Sequence, residues 1–441
     1  MNATTLRPWA TRSPRKAPPE RAASGSRSAR GVAKARSRAS SLRRSSPVAY
    51  HLVWVAAILL LTAGLCTVLS VSMAEGVRGG DKFVYVRPQA IVAAIGLVLM
   101  LFVARIDYRK LRVASLAFLG VVIFSLLAVH IPGVGQSAGG SSSWIQVGPI
   151  TYQPSEFAKL AVVLLGAHLL SSPRVKDGRF MSYAWPYGVA GLVLCGLVMW
   201  ENDFGTAIII AGLVLGMLWL AGMRARQWLA LTGGGLAAGI AVIALTPNNV
   251  RMARIMVMLN PWSDPDGTGY QLRQSLLALG RGGWVGVGPG ESVQKFAYLP
   301  EAHNDMIFAI LGEEFGFLGA GMVIALFAVF AIACWRLARR CADPMGKYLL
   351  AGCGMIVTLQ AAINIGGVIG AIPLTGVPLP FVSYGRNSLL VMLIAVGLIL
   401  AVARHASVRP ASSSPKRDDN GKGTDSRRGD GRSRSARPSP R

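Results

Sequence analysis

Acidic residues are scarce in this chain of 441 residues: 20 Asp and Glu stand against 46 Lys and Arg, a formal net charge of +26. Charged residues of either sign make up only 15%, while 52% are hydrophobic. Long uncharged runs and a mean hydropathy of +0.45 exclude a set of two or three soluble domains and indicate a membrane protein. Cysteine is rare and odd in number: Cys66, Cys195, Cys334, Cys341 and Cys353 lie in or at the ends of apolar runs without metal-ligand spacing. That excludes a disulfide framework and a zinc site. The basic excess would suggest a nucleic-acid partner in a soluble protein, but here it is concentrated in two tails and certain loops, which decides against that class.

Residues 1–47 hold twelve Lys or Arg against the single acid Glu20. Such a segment cannot bury a core and reads as a disordered tail near anionic lipid. It is too long a basic region for a signal peptide, and no small-residue cleavage site follows the apolar run. From about Arg404 the chain again becomes rich in Arg, Ser and Pro, so 407–441 reads as a second disordered tail, leaving 48–406 as the membrane domain.

Ten apolar stretches, each near the ~20 residues a bilayer requires, fall at about 50–72, 85–104, 113–131, 155–171, 184–200, 205–222, 227–246, 305–335, 347–371 and 388–404. The predicted fold is therefore an all-α polytopic membrane protein of about ten transmembrane helices. The eighth stretch is long and is expected to tilt or extend beyond the hydrocarbon. Basic residues recur at every second connector: Arg105, Arg109, Lys110 and Arg112; Arg174, Lys176 and Arg179; Arg224 and Arg226; Arg336, Arg339, Arg340 and Lys347. The positive-inside rule then puts both termini in the cytoplasm. One large loop between spans 7 and 8, from about 247 to 304, becomes extracytoplasmic, together with 132–154, 201–204 and 372–387.

The chemistry-bearing residues gather on that outer side. Six glycines between Gly280 and Gly290 forbid a regular helix and allow a tight turn or a close approach to a ligand. The chain then offers Glu301, His303 and Asp305 before entering span 8. A carboxylate at the mouth of a membrane helix is costly unless it works or is paired, which makes Asp305 the first catalytic candidate, with an N-terminal helix cap as the bland alternative. Before span 4 the run Gln153-Pro154-Ser155-Glu156 suits a helix start. Lys159 lies one turn further on, either paired with Glu156 or offered to a phosphate. Asp203, in the short connector 201–204, suits a cap of span 6. Glu313 and Glu314, if on one ideal helix with Asp305, sit about 80° and 180° from it and suit interhelical contacts. The proline- and glycine-broken stretch 372–387 reads as a re-entrant or cavity-lining loop.

These stretches resemble one family. The run QKFAYLPEAHNDMIFAILGEEFG, with WIQVGPITYQPSEFAK, ENDFGT, NPWSDPDGTGYQ and PLTGVPLPFVSYGRNS, is similar to the FtsW branch of the SEDS family (FtsW, RodA, SpoVE). The resemblance covers about residues 48–406. Four positions depart from the family pattern: Ser143 for Arg, Asn202 for Pro, Asn260 for Asp, and Arg386 for Gly. The resemblance implies an inverting peptidoglycan glycosyltransferase that joins lipid II units into glycan strands and releases undecaprenyl diphosphate. It also implies a class B penicillin-binding protein and the divisome as partners, and the division septum as the place of work. Asp305 would be the base. Lys159, Glu156, Arg254, Lys295, His303, Ser383 and Arg386 would face the substrate, with a divalent cation (Mg or Mn) as an optional cofactor.

Two other classes compete. Glu313, Glu314, Lys159 and the broken loop suit the path of a lipid flippase, although the sequence shows no convincing internal repeat. A silent scaffold that activates a partner would accommodate the four departures.

Overall fold

The computed structural model describes residues 47–406 apart from 78, 139–140, 149, 173–179, 246–249, 265–266, 268 and 297. The two basic tails and the connector carrying Arg174, Lys176 and Arg179 lie outside the described residues. Helices α1 (Pro47–Val77), α2 (Val86–Val103), α3 (Leu111–Ala128), α4 (Pro154–Leu170), α5 (Phe180–Trp200), α6 (Phe204–Leu220) and α7 (Ala225–Leu245) are followed by α8 (Val250–Leu259) and α9 (Tyr270–Gly282). Then come α10 (Ile307–Arg340), α11 (Pro344–Val368) and α12 (Arg386–His405).

A helix stands at each of the ten expected places. Seven segments are long and apolar enough to cross a membrane by length and composition, among them α1, α10, α11 and α12. The other three are α2, α3 and α5; α4, α6 and α7 are not among the seven, and in α4 almost every side chain is buried, including Glu156 and Lys159. It packs against α3, α5, α6 and α11, so protein rather than lipid surrounds it and no uniformly apolar surface is required. The outermost helices show the reverse pattern, with Ile91, Val98, Phe102, Val113 and Phe124 left exposed on α2 and α3, as lipid-facing residues would be.

Three features go beyond the sequence-based expectation. The connector before α4 is a small antiparallel sheet, β1 (Gly135–Ala138), β2 (Ser141–Val147) and β3 (Ile150–Tyr152), in the order β1-β2-β3. The long loop holds two helices of its own, α8 and α9. Most consequential, α10 is not one continuous helix.

At Gly316 the backbone takes φ 65° and ψ −166°, a conformation open to glycine. There the glycine-rich segment lies against it. Val287 and Gly288 donate N–H bonds to the carbonyls of Glu313 (3.0 Å) and Glu314 (3.1 Å), and Phe317 and Leu318 donate to Gly283 (2.9 Å) and Trp284 (3.1 Å). A Cβ at Gly282, Gly286 or Gly316 would overlap the facing main chain. The glycines expected to admit a ligand therefore admit the protein's own backbone. The length expected to tilt is divided instead: residues 317–340 alone give about 36 Å of helix at 1.5 Å per residue, enough for the ~30 Å hydrocarbon core.

Candidate active site

Asp305 sits in the turn just before α10. The cap position of α10 is Met306, and no side chain caps the helix, so the capping alternative fails. The main chain of Asp305 is nevertheless held firmly. Asn364 of α11 donates from Nδ2 to the Asp305 carbonyl (2.8 Å) and to the Val377 carbonyl (2.7 Å), joining the turn to the broken loop 369–385. Gly376, at φ +72°, is close enough that a Cβ there would lie 3.8 Å from Asp305 Oδ2.

The Asp305 side chain is half-buried, and its Oδ1 is buried without a hydrogen-bond partner. Burial, opposed by its own backbone N–H and by the positive charge of Arg254 and reinforced by the negative charge of Glu301, pushes its carboxyl up to about 7. A buried carboxylate oxygen with no donor costs free energy. Four residues earlier in the same turn is a further sign of strain, since Glu301 is a non-glycine residue at φ 52°. Such conformations cluster at functional sites.

The expected site residues fall into two groups. Arg254 and His303 gather with Asp305. Arg254, on α8, donates to the Leu374 carbonyl (3.1 Å) on the loop that passes Asp305. The His303 ring stacks on Tyr85 with centroids 4.0 Å apart and lies 5.6 Å from the Tyr384 ring, while its carbonyl accepts from the Tyr384 N–H (2.9 Å). Burial lowers the His303 pKa against the opposing pull of Glu301 and Glu75, so the ring is held neutral, an uncharged wall of the site.

The second group is turned inward. Lys159 is fully buried, with Nζ 2.7 Å from Glu156 Oε2 and 2.6 Å from Gln360 Oε1. Gln360 in turn donates to the Pro378 carbonyl (2.9 Å) and the Ser388 hydroxyl (3.0 Å). The ammonium thus faces protein on every side rather than a phosphate, and with Gln360 it braces the same loop that Asn364 holds one turn along α11. Lys295 is likewise enclosed, bonded to Glu314 (3.1 Å) and Ser70 (2.8 Å). The Ser383 hydroxyl accepts from the Leu379 N–H (2.7 Å) and closes a loop turn.

Glu313 receives the hydroxyl of Ser292 and the N–H groups of Val293 (3.1 Å) and Gln294 (3.3 Å). Both Glu313 and Glu314 therefore anchor the glycine-rich segment. Because they precede the break at Gly316 and Asp305 lies outside the helix, the ideal-helix angles do not apply. Asp203 caps α6 through the Thr206 N–H (3.0 Å) and accepts from the Ser155 hydroxyl (2.8 Å), as its position suggested. Arg386, at the first residue of α12, makes no ion pair among the described residues.

Asn364, Gln360, Tyr85 and Tyr384 were missed from sequence. The signal was present for the first two, as amide side chains inside an otherwise apolar span. Among the described residues no three His, Cys, Asp or Glu gather. A divalent cation here would take most of its ligands from a substrate's phosphates and at most one or two carboxylates, as Mg²⁺ often does.

A family described as "Cell cycle protein", labelled FTSW_RODA_SPOVE, matches residues 50–408. The chain belongs to the FtsW/RodA/SpoVE family. It is 39% identical over 358 residues to "Stage V sporulation protein E" of Bacillus subtilis, covering 80% of this chain and 97% of that one. It is 40% identical over 371 residues to a "Probable peptidoglycan glycosyltransferase FtsW" of a Thioalkalivibrio species, covering 82% and 91%. A solved chain from work on "a peptidoglycan synthase complex" that coordinates "polymerization and crosslinking" superposes with a TM-score of 0.65 at 25% identity, over 79% of this chain and 96% of that one. The rod shape determining protein RodA of Thermus thermophilus shares the fold, with a TM-score of 0.58 at 24% identity over 80% and 96%. This FtsW/RodA/SpoVE member thus carries the Asp305 carboxylate, with its unpartnered Oδ1, within a fold known from peptidoglycan synthesis.

Proposed function

We propose that this chain is an inverting peptidoglycan glycosyltransferase that polymerises lipid II at the outer face of the cytoplasmic membrane, with both termini in the cytoplasm. The observation that carries the reading is Asp305: a carboxylate held by its main chain, capping nothing, with one oxygen free and a pKa brought near neutrality. A general base works best when its pKa lies near the working pH.

In the reaction, the Asp305 carboxylate accepts the proton of the acceptor sugar's 4-hydroxyl as that oxygen attacks the donor's anomeric carbon. The new C–O bond forms as the bond to the diphosphate breaks. Its electron pair leaves with undecaprenyl diphosphate, and the anomeric centre inverts. Arg254, a cation whose charge acts on Asp305, is exposed, which suits it to the diphosphate. Lys159 positions the loop around Gln360 rather than touching substrate. Arg386, unpaired at the start of α12, is a second candidate contact for the phosphates, and a divalent cation, held mainly by those phosphates, would supply further positive charge to the leaving group. The partner is a class B penicillin-binding protein that cross-links the strands, and the relatives named FtsW favour the division septum as the place of work.

Purified protein with its partner, given labelled lipid II, should yield glycan polymer resolved on a gel. The Asp305→Asn variant should yield about 10²–10⁴-fold less. Translocation of lipid II without polymer from the wild-type protein would favour the flippase, and polymer from Asp305→Asn within a few-fold of wild type would overturn the assignment of the base.

A further inference from the structure

At the opposite end of the molecule a cavity of about 460 Å³ opens between the end of α6, the last turns of α10 and the first turns of α11. Its floor is apolar, from Leu220, Tyr348 and Ala351; its rim carries Arg339, Lys347 and Trp335. The volume lies in the range of sites that take a small ligand group. Neither cation is neutralised: among the described residues Arg339 and Lys347 make no ion pair. The carboxylate of neighbouring Asp343 is already committed to the Tyr108 hydroxyl (2.8 Å) and the Gly346 N–H (2.9 Å).

Two uncompensated cations converging on one cavity call for an anion. The surroundings say which kind. Trp335 is 51% exposed, and Ile332 and Ile324, at 49% and 46%, continue its exposed apolar surface along α10 away from the cavity. An indole at the end of a span, with an apolar helix face leading toward the membrane middle, is the setting of a headgroup and its acyl chains. The segment Tyr108–Lys110, with Arg109 over the Tyr108 ring at 5.8 Å, reaches the same end through Tyr108 and Asp343. This is the end that carries the basic connectors.

We infer that this cavity binds the phosphodiester headgroup of an anionic phospholipid from the leaflet on the basic side, Arg339 and Lys347 holding the phosphate and α10 bedding the chains. Basic recesses between membrane helices on that side are suited to acidic lipid headgroups. The site lies at the other end of the molecule from Asp305 and is independent of its chemistry.

The test uses the full-length protein in detergent, with phosphatidylglycerol or phosphatidylcholine added and retained lipid counted by native mass spectrometry alongside the melting temperature. Wild type should retain phosphatidylglycerol selectively and melt higher with it. Each cation removed should weaken retention about fivefold, so the double variant Arg339→Gln/Lys347→Gln should lose about twenty-five-fold. Arg339→Lys should keep most of the binding, as should the control Arg105→Gln/Arg112→Gln, which alters basic residues outside the cavity. All four altered side chains lie on connectors or helix ends, and a folded double variant is verified by its own melt without lipid. Retention by the double variant equal to wild type, or inorganic phosphate stabilising wild type as strongly as phosphatidylglycerol, would overturn the proposal.

Discussion

Asp305→Asn should make this protein more stable at alkaline pH while abolishing its activity. The carboxyl rises from an ordinary 3.8 to about 7, so the folded state holds the proton more tightly than the unfolded chain does. Wild-type stability is therefore greatest below the unfolded pKa and declines as pH rises from about 4 through 7, because folding must then bury the charge. At about 1.4 kcal/mol per unit the full shift amounts to roughly 4 kcal/mol, which screening of a half-buried group reduces. Asparagine preserves the shape and the Asn364 bond to the main chain (2.8 Å) but carries no charge. At pH 8 the variant should gain about 1–2 kcal/mol over wild type, and at pH 5 much less. Thermal unfolding in detergent at both pH values, paired with the lipid II assay, separates the accounts. An inactive variant destabilised equally at pH 5 and pH 8 would mean that the carboxylate is a structural group, and the reasoning about a strained base would be refuted.

Wild-type polymerisation should fall about tenfold per unit below pH 7 as the base is protonated; Arg254→Gln should move that limb to higher pH and Glu301→Gln to lower pH, because the two charges act on Asp305 in opposite directions. Profiles of kcat/KM that coincide for all three proteins would contradict this. Gly286→Ala should be severely destabilising, by more than about 2 kcal/mol, since it combines a φ of +88° with overlap on the Glu314 carbonyl; an alanine at Gly233 of α7, where no atom lies within 4 Å, should be neutral or mildly stabilising by comparison in thermal unfolding.

Much of the helical layout was legible because lipid-facing and buried helices both require apolar runs, and hydropathy finds them. What stayed hidden depended on tertiary partners. Lys159 looked like a phosphate contact because nothing in the run PSEFAK reveals Gln360, two hundred residues away, closing over it. The break at Gly316 was invisible to periodicity because the residues on both sides are helical and apolar. It exists only because another glycine-rich strand of chain supplies the hydrogen bonds. Helices α8 and α9 were passed over inside a loop whose charges drew attention instead. Asp305 drew attention because an acid at the start of an apolar run is conspicuous in any context, whereas its missing cap role and unpartnered Oδ1 required coordinates.

The interruption at Gly316 also separates two mechanical regimes. A continuous rod would carry any lean of its lipid-embedded length straight to its tip, so a thicker or thinner bilayer would swing Asp305. Here the piece from Ile307 to Phe315 is bonded sideways to the 283–288 segment, and through Glu314, Lys295 and Ser70 to α1. The stretch from Phe317 onward meets the same segment through Phe317 and Leu318 and buries Phe327, Phe330 and Leu337 against its neighbours. Asp305, at the head of the first piece, consequently takes its bearings from the 283–288 segment and from α1 rather than from the length of one rod. A force on α9, which runs directly into that segment, would reach Asp305 through the bonds at Glu313 and Glu314.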